Sequence, residues 1–598
     1  MHNPFDVQTP ENLSTEDMIS LFVSENTDYY QIEKAGHTFI SGPRGAGKSM
    51  IFRFLEPDCQ CRHTGKKLSK LEYYAAYIPI KETDLNLPEL ARLQAKHATI
   101  VLNEHALVIH VATKFFVSLA ERAPIEGASE KKNIQQYESF YYDKLSKLLF
   151  RSGWKDELPS LKCCKNIKDQ LKITLSLFDD VFGQLNHYMR KLSFCSEVLP
   201  YEGTLFGYTD FLVPLIKALK ESPFMPEGPI FLLIDDADNL NKSQAMVLNS
   251  WVARRTTGFL CLKVSAQEGE YKTYASVGGQ RIDAPHDYSE FNISDKYTSR
   301  FDNFKVRVRD IIAKRLTHHG VEKTPEDFFP VNKKQEEEIK AIGEEIAKVW
   351  SERGRGYRPR DDVLRYARPE YMKRLAGTSK SGSTYSYAGF EQLVHLSSGI
   401  VRHFLESASM MYAETVSKSG GEPLSSIPHG IQNQIANDYS NAFLFSEFSK
   451  VEKDEGDPSL TLDKPAKLKN LINALGGMFR QILMSECSEQ RVFSIAFSNG
   501  PDMEVQEVLS LGVKYGYFHR STIGNKEGTG RVPLYILTRR LAPTFKLDPN
   551  GFAGYKFVQN EAIKQAMYSP KKLTNMVQKQ GFETVMSTGG QGSLFEND

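Results

Sequence analysis

The chain is poor in cysteine, has no excess of charge of either sign and contains no long uninterrupted apolar run. Seven cysteines in 598 residues are too few for a disulfide scaffold, which favours a reducing, cytoplasmic setting. Lysine and arginine together number 75 against 74 aspartates and glutamates, so any surface for nucleic acid must be local. The longest apolar runs, such as IFLLI, fall far short of the roughly 20 residues of a membrane helix. We therefore expect no membrane partner.

Two further absences narrow the class of protein. The N-terminus, MHNPFDVQTPENL, lacks a basic segment followed by an apolar one and predicts no signal peptide. Cys59, Cys61 and His63, and the pair Cys163–Cys164, do not match the spacing of zinc ligands. A chain of 598 residues is expected to fold as about three to four domains.

The most informative stretch is ISGPRGAGKSMIFRFL, which begins at Ile40. The pattern Gly42-x-x-x-x-Gly47-Lys48-Ser49 fits the phosphate-binding P-loop, between a strand-like HTFI and a helix-like SMIFRFL. Such a loop wraps a polyphosphate with inward-facing backbone N–H groups and the positive end of a helix. Lys48 would reach the β- and γ-phosphates of ATP, and Ser49 would hold Mg²⁺. The predicted nucleotide-binding residues are Gly42, Pro43, Arg44, Gly45, Ala46, Gly47, Lys48, Ser49 and Met50.

A P-loop also needs an acid at the end of a neighbouring strand, and IFLLIDDADNL supplies it. Asp235 follows the apolar residues FLLI and is the predicted second magnesium ligand beside Ser49. Asp236 is then placed to orient or deprotonate the attacking water, and we assign it a catalytic role together with Lys48. Its side chain is one methylene shorter than that of glutamate, which limits its reach to a water.

The order of apolar patterns predicts an α/β fold with a mainly parallel sheet. Strand and helix signals alternate up to the segment VRVRDIIAKRL, and helical patterns follow. The predicted organisation is an N-terminal helical segment (1–34), a P-loop core (35–325) with a large helical insertion (about 90–200), a helical lid (326–420), a winged helix (430–562) and a disordered tail (565–598).

The winged-helix prediction rests on MEVQEVLSLGVKYGYF, a helix running into an aromatic strand, and on RVPLYILTRRL as the return strand of a hairpin. Basic residues around the hairpin would meet the backbone of duplex DNA. They are His519, Arg520, Lys526 and Arg531 near the wing tip, with Arg539 and Arg540 on the return strand.

A second basic segment, SERGRGYRPRDDVLRYARPEYMKR, combines arginines with three tyrosines. It could contact nucleic acid through phosphate neutralisation and base stacking. Four acids dilute its charge, so a solvated surface loop is the favoured interpretation.

The motifs GPRGAGKS, LLIDDAD, KVSAQ and LSSGIVRHFL, in this order, resemble those of AAA+ ATPases. The chain is more narrowly similar to the origin-recognition and replication-initiator branch, with bacterial relatives and STAND signalling ATPases of similar architecture. The resemblance implies that Ser265 or Gln267 is the first sensor of the γ-phosphate. It also implies that Arg402, after Gly399, is the second sensor in the lid. Asp236 stands where that family usually has glutamate. STAND relatives, which hydrolyse slowly, often have an aspartate at this position, as this chain does.

These features predict an ATP-hydrolysing, nucleotide-gated switch that binds duplex DNA through the winged helix and lid. The alternative is a STAND-like sensor of a bacterial antiviral defence system that recruits or activates an effector or adaptor protein. The resemblance also implies a homo-oligomer, in which Arg281 is either the arginine finger or a solvated loop residue. The insertion would recognise a partner protein, a neighbouring subunit or a foreign trigger.

The terminal stretch QGSLFEND resembles the short peptide that docks on bacterial sliding clamps. Gln591 would form a hydrogen bond, and Leu594 and Phe595 would fill an apolar pocket. A sliding clamp is therefore a further expected partner.

Overall fold

The structure of the protein is a computed structural model, and the chain forms two compact units. We call Gln8–Ile293 the P-loop unit, and Met1–Val7 together with Ser294–Asp598 the C-terminal unit. The residues that the structure describes are 3–24, 29–80, 85, 87–93, 96–195, 199–254, 258–293, 301–353, 359–377, 384–420, 424–485, 490–524, 530–550 and 554–571.

A parallel sheet of five described strands forms the centre of the P-loop unit, in the order β2-β3-β4-β1-β5. Every residue of the middle run IFLLID is buried, as expected for a strand covered on both faces. Because parallel strands end at one edge, the segments after β1, β3 and β4 lie side by side. The strands are β1 (Thr38–Gly42), β2 (Tyr74–Pro79), β3 (Ile230–Asp235), β4 (Leu260–Gln267) and β5 (Ser289–Asn292).

Helices cover both faces of this sheet. They are α1 (Thr15–Leu21), α2 (Tyr29–Ile32), α3 (Lys48–Leu55), α4 (Pro57–Thr64), α5 (Lys96–Val117), α6 (Lys131–Ser139), α7 (Ser146–Arg151), α8 (Ile167–Phe194), α9 (Val213–Lys220) and α10 (Lys242–Ala253). Short 3-10 or π turns lie at Pro10–Asn12, Leu68–Lys70, Pro88–Arg92, Ser118–Arg122, Phe140–Leu145, Tyr208–Leu212 and Ala237–Asn239.

The alternation of side chains along β3 separates two hydrophobic cores. Leu232 and Ile234 pack in the core formed with the helices of the insertion. Phe231 and Leu233 point to the other face and pack in the core formed with α1, α3 and α4. Asp235 has the same parity as Leu233, so the backbone directs it toward the face that carries α3.

The predicted helical insertion between β2 and β3 is present and includes α5 to α9. Among the described residues, the stretch His97–Arg122 is long and apolar enough to cross a membrane by length and composition alone, but 67% of its apolar window is buried in the protein. Leu107, Phe115 and Phe116 pack in the same core as the sheet, so α5 acts as a core helix. Polar residues such as His105 interrupt its apolar runs in the sequence.

The C-terminal unit consists of helices and one small sheet. Its helices are α11 (Phe301–His318), α12 (Pro325–Phe328), α13 (Lys333–Arg353), α14 (Pro359–Gly377), α15 (Phe390–Leu396), α16 (Val401–Lys418), α17 (His429–Asn441), α18 (Phe448–Glu455), α19 (Lys464–Met484), α20 (Met503–Lys514), α21 (Ala542–Phe545) and α22 (Asn560–Tyr568), with turns at Ala442–Ser446 and Arg539–Leu541.

The small sheet of this unit has the order β7-β8-β6-β9. The antiparallel β7–β8 pair is the predicted hairpin, and it follows α20 as a wing follows its helix. The sequence reading did not include the strands at Val492 and Gly554, which are short and have no turn signature. The strands are β6 (Val492–Ala496), β7 (Phe518–Gly524), β8 (Arg531–Leu537) and β9 (Gly554–Phe557).

The unit boundaries differ from the predicted organisation in two places. Helix α11, expected in the P-loop core, belongs to the C-terminal unit, so the contact boundary falls at Ile293 instead of 325. The interval left between the predicted lid (326–420) and winged helix (430–562) contains Ile427, which is fully buried and donates its N–H to the Phe328 carbonyl at 2.8 Å. Lid and winged-helix residues share one continuous core.

A buried histidine joins two segments of the insertion, α5 and the chain that follows α8, and this gives a prediction for acid stability. The Phe206 N–H donates to His105 Nδ1 at 2.8 Å, and burial lowers the pKa of His105 to about 3. In the unfolded chain, His105 binds a proton near pH 6.5. Its contribution to the free energy of unfolding is therefore complete above that pH and is lost as the pH falls toward 3.

We expect His105→Asn, which keeps an acceptor near Nδ1, to lose less unfolding free energy than the parent on acidification. The difference should reach about 2 kcal/mol between roughly pH 6.5 and pH 4.5, measured by urea unfolding. His97→Asn, at an exposed position of the same helix, is the matched control. An equal pH dependence in parent and His105→Asn would contradict this assignment.

Candidate nucleotide-binding site

The predicted nucleotide-binding residues form the end of β1, a tight loop and the first turn of α3. Gly45 and Gly47 have φ values of 83° and 101°, which side chains with a Cβ rarely adopt. Helix α3 begins at Lys48, so the first N–H groups of its opening turn have no carbonyl within the helix to bind. A loop of this form presents amides and a helix N-terminus to an anion.

The ammonium group of Lys48 is folded into this loop. Lys48 is 6% exposed, and its Nζ donates to the carbonyl of Gly42 at 2.7 Å and to that of Pro43 at 3.1 Å. Burial lowers the pKa of Lys48, while the carboxylates of Asp235 and Asp236 act in the opposite direction. The Lys48 ammonium therefore lies within the loop and is hydrogen-bonded to two backbone carbonyls. The oxygens of a bound phosphate could take the place of these carbonyls as acceptors.

Asp235 lies at the end of β3 and is 2% exposed. Its Oδ1 accepts a short hydrogen bond from Ser265 Oγ, and its Oδ2 accepts one from the Tyr77 hydroxyl at 2.8 Å. Tyr77 lies on β2 and Ser265 on β4, the strands on either side of β3. Hydroxyls from both neighbouring strands thus fix the carboxylate predicted to bind magnesium.

Ser265 and Gln267, the two candidates for the first sensor, differ in their contacts. Ser265 is fully buried and contacts Asp235. Gln267 lies at the end of β4, where its backbone N–H donates to Asp238 Oδ1 at 2.9 Å. The structure therefore brings Ser265 to the acid, and the assignment of a sensor role to Ser265 stays a prediction.

Asp236 follows in an uncommon backbone conformation, with φ 55° and ψ 42°. Its N–H donates to Ser265 Oγ at 3.1 Å, and its carbonyl accepts hydrogen bonds from the backbone and the side chain of Asn239. Aspartate is among the few side chains that tolerate this left-handed region. The turn directs the chain out of the sheet directly after Asp235.

Tyr77 and Glu11 are residues of this site that the sequence analysis missed. Glu11 lies in the turn Pro10–Asn12, and its Oε1 is 2.5 Å from the Tyr77 hydroxyl. Burial and Asp235 together raise the pKa of Tyr77 well above its usual range. Tyr77 has one hydroxyl proton for two carboxylates, so Glu11 and Asp235 compete for it. The only sequence signal was a tyrosine near the end of an apolar strand.

The predicted second sensor, Arg402, belongs to the C-terminal unit, and the predicted arginine finger, Arg281, belongs to the P-loop unit. Arg402 is exposed in the first turn of α16, three residues after Gly399, which has a φ of 81°. Arg281 is an exposed residue between β4 and β5, with its guanidinium carbon 5.8 Å from the ring centre of Tyr274. The sensor role of Arg402 and the finger role of Arg281 stay predictions.

Three of the basic residues expected at a DNA surface are buried instead. Arg540 lies 3.7 Å from the ring centre of Tyr439 and pairs with Glu447 at 2.6 Å. Arg539 is 2% exposed, and both arginines lie in a turn after β8 and not on the return strand. His519 is buried next to Arg539, and burial lowers its pKa to about 4.

Part of the wing surface does match the prediction. Arg520 and Arg531 are exposed on the hairpin, and Arg531 donates to the Thr522 carbonyl at 2.8 Å. Lys526, at the predicted wing tip, lies outside the described residues. So do Gln591, Leu594 and Phe595 of the predicted clamp-binding peptide.

The structure describes the second basic segment at 351–353 and from 359 onward. Arg368 pairs with Glu336 at 2.6 Å, and Arg374 pairs with Glu345 at 2.8 Å. Residues 354–358 lie outside the described part of the chain. In the described part, these two arginines bind carboxylates of the protein itself.

A family model described as ORC-CDC6-like matches residues 3–351 and 345–557. The chain belongs to the ORC-CDC6-like family. This membership confirms the resemblance to AAA+ ATPases of the origin-recognition branch. The ORC1 protein of Aeropyrum pernix in complex with DNA is similar at 10% identity, over 90% of this chain and 92% of that chain, with a TM-score of 0.25. At that TM-score the likeness adds nothing to the family assignment. The comparison with curated proteins gave no match.

The residues of the site suit a magnesium–nucleotide complex, which the family implies. Lys48 has two carbonyl acceptors in place of an ion partner, and the buried Asp235 carboxylate carries hydroxyl donors on both oxygens. An anion with a divalent cation would complement both charges. Ser49, the second predicted magnesium ligand, lies in the same first turn as Lys48.

The contact between Tyr77 and Asp235 leads to a prediction for Mg²⁺ dependence. We expect Tyr77→Phe to raise the Mg²⁺ concentration for half-maximal ATP binding by about tenfold, because groups that orient a metal ligand commonly have effects of that size. ATP binding in EDTA should stay unchanged. Fluorescent-nucleotide titration at a series of Mg²⁺ concentrations measures both quantities.

The matched control is Tyr74→Phe on the same strand, whose hydroxyl lies 2.9 Å from Ser118 Oγ, inside the core. This exchange should leave the Mg²⁺ dependence as in the parent. A Tyr77→Phe protein with parental Mg²⁺ dependence would show that the hydroxyl does not orient the acid.

Proposed function

We propose that the protein binds and hydrolyses ATP and uses the nucleotide state to switch between two arrangements. The observation that carries the proposal is the grouping of Lys48, Asp235 and Ser265 at one edge of the sheet. A buried ammonium in a glycine loop and a buried carboxylate after β3 are the two charges that a P-loop site needs. Membership of an AAA+ family supports the same activity.

In this proposal, Gly42 to Met50 bind the phosphates and Lys48 contacts the β- and γ-phosphoryl groups. Ser49 and Asp235 would hold Mg²⁺, which supplies charge neutralisation of the phosphates when it is bound. Ser265, already hydrogen-bonded to Asp235, is placed to respond to changes at the magnesium acid.

Asp236 would orient the water that attacks the γ-phosphate. Its backbone is fixed by Ser265 and Asn239, and its side chain is shorter than the glutamate usual at this position. Both features limit the reach of the Asp236 carboxylate toward the attacking water. We therefore propose slow or partner-stimulated hydrolysis, as suits a switch more than a motor.

The switch would use Arg402. A guanidinium that contacts the γ-phosphate has a partner with ATP and loses it with ADP. Exposure of Arg402 at the first turn of α16 leaves its guanidinium available for such a contact. The helices of the lid would then adopt one of two arrangements according to the nucleotide.

The partner proposed for the winged helix is duplex DNA. The exposed Arg520 and Arg531 and the family membership support this assignment, and burial of Arg539 and Arg540 restricts the surface to the hairpin. A homo-oligomer completed by Arg281, an effector protein, a sliding clamp and a role in antiviral defence are further proposals that rest on the resemblance alone.

The first test separates binding from hydrolysis. Lys48→Ala should weaken ATP binding by about tenfold or more, because a charge-assisted hydrogen bond contributes about 1.5–3 kcal/mol. Asp236→Asn should keep ATP affinity and lower the hydrolysis rate by about 100-fold. Titration of nucleotide and phosphate release measure these effects, and Lys66→Ala on the surface of the same unit is the control.

Duplex DNA added to the same assay tests the proposed partner. We expect duplex DNA to stimulate ATP hydrolysis and this stimulation to fall as the salt concentration rises. The double variant Arg520→Ala with Arg531→Ala should reduce the stimulation. The control is Lys333→Ala with Lys334→Ala, which removes the same charge from exposed positions on α13 and should leave the stimulation by DNA unchanged. Unchanged nucleotide affinity in Lys48→Ala would refute the phosphate assignment, and no response to DNA would favour the sensor alternative.

The second test addresses Arg402. Arg402→Ala should still bind ATP, but the ATP and ADP forms should become equally sensitive to limited proteolysis, because the contact that distinguishes them is lost. In the parent, the two forms should differ. The comparison variant is Arg44→Ala, at an exposed position of the P-loop. It alters contact with the nucleotide but not the lid, so its ATP and ADP forms should still differ in sensitivity to proteolysis. A parental difference between nucleotide states in Arg402→Ala would disprove the sensor role.

A further inference from the structure

The first residues of the chain belong to both compact units. Residues 3–7 are part of the C-terminal unit, and the chain enters the P-loop unit at Gln8. The chain passes between the units again after Ile293. We call residues 3–13 the N-terminal strap. The functions proposed above give it no role, although it provides a second covalent connection between the two units.

A buried phenylalanine is the first anchor of the strap. Phe5 is fully buried in the core of the C-terminal unit. Its ring centre lies 5.5 Å from that of Phe329 and 6.1 Å from that of Tyr412. Tyr412 lies on α16, the helix that carries Arg402. An aromatic ring packed in this way holds the beginning of the chain firmly, because it buries a large apolar area.

Hydrogen bonds attach the strap to the same helix. Asn3 Nδ2 donates to the carbonyl and to the Oγ of Ser409 on α16, at 3.0 and 2.9 Å. The Ser409 hydroxyl in turn donates to Asp6 Oδ1 at 2.9 Å. Arg315 of α11 donates to the carbonyls of Pro4 and Asp6 at 2.9 and 3.2 Å. This end of the strap would therefore follow a movement of α16.

The second anchor of the strap lies at the predicted magnesium acid. Leu13 is 5% exposed and packs in the core that includes α3, the helix after the P-loop. Glu11 Oε1 lies 2.5 Å from the Tyr77 hydroxyl, which also contacts Asp235. Arg122 donates to the Glu11 carbonyl at 3.2 Å. This end is thus held by an apolar core and by a hydroxyl that it shares with Asp235.

The link between the two anchors is exposed, short and stiff at one end. Residues 6–9 are exposed. Thr9 has an extended backbone, with φ −71° and ψ 136°, and Pro10 after it favours that conformation. The link from Asp6 to Glu11 reaches at most about 18 Å when it is extended. A displacement of either anchor is therefore passed to the other once the link is taut.

The strength of the second anchor depends on the charge at Asp235. Tyr77 has one hydroxyl proton, and both Glu11 and Asp235 accept from it. The carboxylate of Asp235 becomes a weaker acceptor when a bound cation neutralises its charge. Tyr77 then donates more to Glu11, without any change in ionisation. The strap is held more tightly at this end as a result.

We propose that the N-terminal strap couples occupation of the magnesium site to the lid helix α16, with Glu11 as the positioning residue that joins them. This inference rests on the proposed function, since it takes Asp235 as the magnesium acid and α16 as part of the lid. It adds a route that needs no γ-phosphate. Arg402 would respond to the last phosphoryl group, whereas the strap responds to the cation at Asp235.

Hydrogen–deuterium exchange of the full-length protein tests this coupling, with mass spectrometry of peptides that cover residues 401–418. The ligand is saturating ADP, which has no γ-phosphate for Arg402 to contact, in Mg²⁺ or in EDTA. We expect exchange in α16 to be about fivefold slower in Mg²⁺, the size of effect expected from one strengthened hydrogen bond. Arg402→Ala should keep this difference, because the strap does not use that arginine.

Glu11→Gln should abolish the effect of Mg²⁺ on α16, because a neutral amide is a weaker acceptor for the Tyr77 hydroxyl than a carboxylate. The matched control is Glu16→Gln on α1, where the exposed Glu16 pairs with Arg62 at 3.1 Å. This exchange removes the same charge a few residues further along and should keep the effect. Thermal unfolding in EDTA checks that both proteins are folded.

A longer link tests the strap without removing any of its contacts. Insertion of Gly-Ser-Gly-Ser between Val7 and Gln8, both exposed, should abolish the effect of Mg²⁺ on α16. The same insertion between Gly65 and Lys66, exposed positions elsewhere in the P-loop unit, should keep it. ADP affinity in EDTA should be parental in both insertion variants, which shows that the P-loop unit is folded.

Three outcomes would overturn the coupling while leaving the nucleotide site intact. They are a parent that binds ADP but shows no effect of Mg²⁺ on α16, a parental effect in Glu11→Gln, and a parental effect in the protein with the lengthened link. A parent that binds no ADP would instead refute the nucleotide site, and the role of the strap with it.

Discussion

The position of one buried carboxylate organises the P-loop unit. Asp235 ends β3, an interior strand of the sheet, and hydroxyl groups from both neighbouring strands bind its two oxygens. A charge in such a place is stable only if polar partners surround it. Those partners exist because β2 and β4 are paired with β3 in fixed register. The sheet therefore holds the acid, and the acid fixes where a divalent cation could bind.

The same carboxylate connects parts of the unit that are far apart in sequence. Tyr77 bridges Asp235 to Glu11 in the N-terminal turn, and Ser265 bridges it to the backbone of Asp236. A change at Asp235 would thus affect the N-terminal segment and Asp236, the residue proposed to orient the attacking water. Hydrogen bonds in such short chains polarise one another, so loss of one partner alters the others.

Burial of positive charge is also a feature of the C-terminal unit. Arg540 is enclosed by Tyr439, Phe443 and Glu447, so its charge stabilises the contact between α17 and the turn after β8. Arginine can be used in this way because its planar guanidinium stacks on rings and keeps its proton. The basic residues that remain exposed on the hairpin are fewer than the sequence indicated, so the surface proposed for DNA is smaller than expected.

The sequence by itself determined the P-loop, the strand that ends in Asp235, the alternation of strands and helices and the hairpin. Each of these depends on neighbours within about ten residues, where backbone conformation and periodicity leave a readable pattern. It could not decide between Ser265 and Gln267 or reveal that Tyr77 touches Asp235, because those contacts join separate strands. Tertiary structure alone decided which arginines are buried, since a linear pattern of charge does not show what packs against it.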